Sequence, residues 1–135
     1  MIQRIQTVYL LLAGLFNLAS FFNPIYNKAM DDPLGWIGMG MAIFMTLSML
    51  ISFISVFLYK NRNRQLTVVK AGTYCEIVAI AIALGILFTL GGFGTFLINE
   101  SLGVLLLVFA LVALWQAGKN IRKDQELVKS MDRIR

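Results

Sequence analysis

Four long apolar stretches alternate with short polar ones along the chain, and a membrane-crossing helix needs about 20 mostly apolar residues. The first stretch runs over about 5–22 and ends at Asn23-Pro24, an expected helix stop. The second covers about 33–59, opened by Asp32-Pro33, where aspartate caps a helix that starts on proline. The third covers about 71–90 and runs out into Gly91-Gly92-Phe93-Gly94, and the fourth covers about 101–117. From Ile77 to Gly118 the only charged residue is Glu100, so the turn between the last two spans is placed there. Arg4 before an apolar run has some look of a signal peptide. The run is longer than a 7–15-residue secretory core and carries no A-x-A site, so the segment is expected to be retained as a span.

Within each span the small and polar residues recur at helical spacing. At about 100° per residue, Gly38, Met41, Met45, Ser48, Ser52, Ser55 and Tyr59 share one side of the second span, and Ile43, Leu47, Leu50, Ile54, Phe57 and Leu58 the other. Helices in lipid meet through small and polar residues rather than through the hydrophobic effect, so the first set is expected to face protein. A Met/Ser stripe also suits an adaptable binding groove; plain packing, with each serine bonded back to its own helix, is the preferred reading. The corresponding stripes are Gln3, Gln6, Leu10, Gly14 and Asn17; Gly72, Glu76, Ala79, Ala83 and Leu90; and Gly103, Leu106, Ala110, Ala113 and Ala117. One such face per helix and short connections predict an all-α fold, an integral membrane four-helix antiparallel bundle.

Composition agrees with the pattern. Of 135 residues, 59% are apolar and 14% charged, against about 45–50% and 25% in soluble domains. Charge then orients the bundle. Arg4, Lys60, Arg62, Arg64, Lys70 and the six Lys and Arg of the C-terminal tail fall on one side, and Lys28 alone on the other. The positive-inside rule puts both termini in the cytoplasm, and Tyr59, Tyr74 and Trp115 at the inner interface with Tyr26 and Trp36 at the outer one.

The residue inventory narrows the chemistry. The chain has no histidine and one cysteine, Cys75, which removes the Ser-His-Asp triad, an intrachain disulfide and a CxxC pair. No zinc ligand cluster and no glycine-rich phosphate loop is present, so no cofactor or metal is expected, and the chain is read as a non-enzyme.

Glu76 is the one ionisable residue well inside a span. Counted from Lys70 it lies about 9 Å along the axis, near the cytoplasmic interface. An intramembrane carboxylate is a functional-site hypothesis with a partner to be named, and the candidates at that level are Gln3, Arg4 and Gln6. A structural bond between the first and third spans is preferred to a proton- or cation-binding group in a transport path, because transporter sites usually lie at the midplane.

Residues 119–135, KNIRKDQELVKSMDRIR, continue in helical pattern as a short juxtamembrane amphipathic helix. Lys119, Arg122, Lys123, Lys129, Arg133 and Arg135 suit the anionic headgroups of the inner leaflet or a protein partner. The interspersed Asp124, Glu126 and Asp132 argue against nucleic acid. Asp124 or Asp132 is expected to pair with Arg4 or with an arginine of the basic loop KNRNRQ, residues 60–65. The opening MIQRIQTVYLLLA and the closing IRKDQELVKSMDRIR resemble a family of small four-span inner-membrane proteins of the Bacteroidota, catalogued as domain of unknown function 4293. That resemblance implies a four-helix protein of the inner membrane and supplies no activity or ligand residues. The reading that follows is a non-enzymatic accessory or interaction protein, with an unidentified membrane partner or a second copy of the chain. A small transporter using Glu76 is the alternative.

Overall fold

The computed structural model describes residues 2–31, 35–89 and 98–134, with side chains from Ile5 onward. Every described element is helical: α1 (Ile2–Phe21), α2 (Pro24–Met30), α3 (Trp36–Phe57), α4 (Arg62–Thr89) and α5 (Ile98–Ile134), with a 3₁₀ turn at Leu58–Lys60. Among them α3, α4 and α5 are each long and apolar enough to cross a membrane, and α1 with α2 makes a fourth if the pair is one span bent by 58°.

The bend follows from Asn23-Pro24. Proline ends α1 by steric conflict and starts α2 at its first turn, where its missing N–H is not needed. The Asn23 side chain accepts the Ile25 N–H at 3.1 Å and caps the new helix. The expected stop is therefore also a start, and α2 turns Ile25 and Ala29 inward against α3, α4 and α5.

α1 packs on α3 and α5, and α4 also packs on α3 and α5, so the four long helices form a ring with α1 and α4 across from each other. Neighbours run antiparallel. Ser55 meets Gln65 and Ser48 meets Glu76 between α3 and α4; Phe16 meets Phe109 between α1 and α5; Arg62 meets Asp124 between α4 and α5. On α3, Gly38, Met41, Met45, Ser48, Ser52 and Ser55 are buried and Ile43, Leu47, Leu50, Ile54 and Phe57 are exposed. The outward faces carry large apolar side chains, and the small and polar residues are gathered inside among a few large apolar ones, the arrangement expected where lipid rather than water surrounds the helices.

Four expectations need correction. The basic stretch is not a loop up to Lys70: Asn61 accepts the Arg64 N–H at 3.3 Å and starts α4 at Arg62, nine residues earlier than the apolar pattern alone indicates. The tail is not a separate short helix, because α5 runs unbroken for 37 residues, about 55 Å at 1.5 Å per residue. Tyr59 is half-exposed rather than inward, since the 3₁₀ turn shifts its phase. Leu106 is only partly buried, and Leu107 takes the inward position beside Gly103 and Ala110. The Asp32-Pro33 start, Leu90 and the glycine run lie outside the described residues; α3 is entered through Gly35 at φ +66°, a left-handed conformation glycine adopts freely.

Two apolar clusters fill the ring. One lies toward the N-terminal end, around Leu10, Val69, Leu114 and Ile121. The other, around Ile25, Met41, Met45, Leu87 and Leu107, fills the opposite end. A polar layer separates them.

Candidate functional site

The polar layer is centred on Glu76, which is fully buried. Its Oε2 accepts a hydrogen bond from Ser48 Oγ at 2.6 Å and another from Asn17 Nδ2 at 2.8 Å. The Asn17 amide also donates to the Ala13 carbonyl at 3.3 Å, and Ser52 Oγ donates to the Ser48 carbonyl at 2.8 Å. Three helices thus converge on one carboxyl oxygen, and the Asn17–Glu76 bond spans the ring between the two helices that face each other. All three residues are held by their stripes: Asn17 follows Leu10 and Ala13, Ser48 follows Met41 and Met45, and Glu76 sits between Gly72 and Ala79. Gly72 keeps the approach close, because a Cβ there would lie 2.7 Å from Ile51 Cγ2.

The partners expected for Glu76 are not the ones it has. Gln6 is buried, but it precedes Asn17 by eleven residues, about 16 Å along α1, and its Nε2 has no partner among the described residues. The side chains of Gln3 and Arg4 lie outside the described residues. The axial match of Glu76 to its partner follows from where the helices start. Counted from the true helix starts, Asn17 is 15 residues after Ile2 and Glu76 is 14 after Arg62, both about 21–22 Å along. Ser48 is midway along α3. The carboxyl is midway along α4, while its axial distance from Lys70, six residues back, stays at about 9 Å.

The layer is incompletely bonded. Glu76 Oε1 and Asn17 Oδ1 are buried without hydrogen-bond partners among the described residues. Toward the N-terminal end Gln65 Nε2 donates to the Ser55 carbonyl at 2.9 Å, while Gln65 Oε1 has no partner among the described residues. A carboxyl with one oxygen doubly bonded to neutral donors and the other bare holds two packed helices to a third and retains capacity at Oε1 for one proton or one cation. Among the described residues no group of three or more Cys, Asp or Glu is placed to hold a metal ion.

The ion pairs among the described residues lie at the two ends. Lys28 Nζ lies 2.8 Å from Glu100 Oε1 where α2 meets the start of α5. At the other end Arg62 Nε lies 2.9 Å from Asp124 Oδ2, and Gln125 Nε2 donates to Asn63 Oδ1 at 2.7 Å. Asp124 thus pairs with an arginine of the basic stretch, one of the pairings expected. Beyond this clamp Lys129 and Arg133 are exposed, as are Lys119, Arg122 and Lys123 before it; Arg135 lies outside the described residues. Asn17 already belonged to the predicted face of the first span, so its side chain was available as a partner. Only the level of the helix starts hid the match.

The family model described as Domain of unknown function (DUF4293) matches residues 2–39 and 35–134. The chain belongs to this family. The match covers nearly its whole length, including both terminal motifs, and the DUF4293 description names no activity. No curated protein and no solved structure matches the chain.

Proposed function

We propose that this DUF4293 chain is a four-span antiparallel bundle of a bacterial inner membrane, with both termini cytoplasmic, that works as a non-enzymatic accessory or interaction protein. The observation that carries this reading is the end of α5. The helix continues past the Asp124–Arg62 clamp to Ile134 with Leu127, Val128, Met131 and Ile134 exposed. An exposed apolar stripe interleaved with Lys129 and Arg133 suits a membrane-protein partner, a second copy of the chain, or the anionic inner leaflet; nucleic acid fits less well because acids alternate with the bases. Eleven of the twelve Lys and Arg lie on the side assigned to the cytoplasm.

The test is affinity purification in mild detergent from the native membrane, followed by mass spectrometry. A specific membrane protein should co-purify with the wild-type chain and with Glu76→Gln. It should be lost from a variant with serine at Leu127, Val128, Met131 and Ile134. Equal recovery with that variant would refute a role for the tail. Proton or cation binding at Glu76 is the second reading, favoured by the bare Oε1 at the centre of the ring. Cation or proton flux in proteoliposomes that disappears in Glu76→Gln, with unfolding temperature unchanged, would make it the better one.

A further inference from the structure

Between α4 and α5, at the end carrying the N-terminus, lies an outward-facing groove of about 560 Å³. Its rim holds Lys70, Lys119 and Arg122, and no acidic residue lines it. None of the three cations forms an ion pair among the described residues. Tyr74 and Trp115 stand one helical turn further along, toward the middle of the spans, and are largely exposed. Lys119 Nζ sits 5.4 Å from the Trp115 ring centre, so the aromatic face holds the ammonium over the groove. The floor is apolar, formed by Leu66, Val69 and Leu114, with Gly118 contributing no side chain to it.

We propose that this groove is a binding site for the headgroup of one anionic phospholipid, its phosphate among Lys70, Lys119 and Arg122 and its acyl chains running past Tyr74 and Trp115. The order of groups along the helices carries the assignment. Cations lie outermost, amphipathic rings next, and exposed aliphatic residues beyond, the same sequence as phosphate, glycerol and acyl chain in a leaflet. Basic pockets between membrane helices recognise anionic headgroups in this way. A free phosphate would use the cations but leave the aromatic and apolar part of the groove idle. The proposal rests on the chain lying in a membrane and is independent of any protein partner of the tail.

The test is native mass spectrometry of the intact chain in detergent, titrated with dioleoyl phosphatidylglycerol or dioleoyl phosphatidylcholine. The wild type should retain one phosphatidylglycerol in clear preference to phosphatidylcholine. Each cation changed to glutamine should weaken that preference by about fivefold. The triple variant Lys70→Gln, Lys119→Gln, Arg122→Gln should lose it, with an unchanged unfolding temperature because all three side chains are exposed. A control of equal charge change, Arg64→Gln, Lys123→Gln, Arg133→Gln, should keep it. Equal loss in the control would mean that net charge alone attracts the lipid, and retention in the groove variant would exclude the site. Displacement of the lipid by inorganic phosphate as effective as by the soluble phosphatidylglycerol dihexanoyl analogue would assign the cations to free phosphate and overturn the proposal.

Discussion

Glu76 and Glu100 are both carboxylates on inward stripes of neighbouring helices, and their surroundings differ completely. Glu100 is the third residue of α5, nearly buried, and reached by the ammonium of Lys28 from half-exposed α2. There the helix N-terminus favours a negative group, and the lysine stem lets a cation stay hydrated while its head meets the acid. Glu76 is at the centre, with an amide and a hydroxyl as its only hydrogen-bond donors among the described residues. A lysine or arginine at that depth would have to leave water entirely, which is costly in lipid. Short neutral side chains on three helices supply what a single flexible cation supplies at the rim. The central bond therefore depends on helix register, whereas the rim pair depends on one side chain's reach.

That contrast makes ordered predictions. The largest effect is expected for Glu76→Ala, which removes the acceptor of two buried donors and leaves a cavity. A loss of about 3 kcal/mol is expected in reversible unfolding of the detergent-solubilised chain. Glu76→Gln retains an acceptor oxygen and should cost less than about 1 kcal/mol. Next comes Gly38→Ala. A Cβ there would lie 2.6 Å from the Ala29 carbonyl oxygen, a backbone atom that cannot swing away. About 1–3 kcal/mol of destabilisation is expected in the same assay; a neutral result would mean that α2 shifts freely and that the rim is looser than the centre in volume as well as in charge.

Smaller again is Ser48→Ala. It should cost about 1 kcal/mol, and less than that when made in the Glu76→Ala background, since the two groups share one bond. Additive losses in that double-mutant cycle would break the picture of one shared polar layer. The smallest effect is expected for Lys28→Gln, at about 0–1 kcal/mol and shrinking further as salt is raised, because the lysine is partly solvated. A salt-independent loss as large as that of Glu76→Ala would erase the distinction between rim and centre.

Much of this was legible in the order of residues. The stripe Gly38 to Ser55, the stripe Gly72 to Ala83 and the Gln6–Leu10–Asn17 line each depend only on periodicity within one helix, which is a local property. The pairing of Asp124 with a basic-stretch arginine followed from sidedness of charge. Three things were not legible. α4 extends through Arg62–Lys70, residues whose polarity hides a helix that continues beyond the apolar window. α2 leaves little trace in seven residues that begin on a proline. The partner of Glu76 needed axial register as well as face, and an error of nine residues in one helix start moves the expected partner by about 14 Å.

The chain's sequence by itself determined that its helices are apolar enough for a membrane, which face of each is small or polar, and which ends are basic, because these properties belong to one helix at a time. The tertiary structure decided that α1 and α4 face each other, that Asn17, Ser48 and Glu76 share one level, and that Lys70, Lys119 and Arg122 border one groove. Those outcomes depend on how close backbones approach at Gly38 and Gly72 and where each helix starts relative to its neighbours. Such register is a property of the packed set of helices, so no single stretch of sequence contains it.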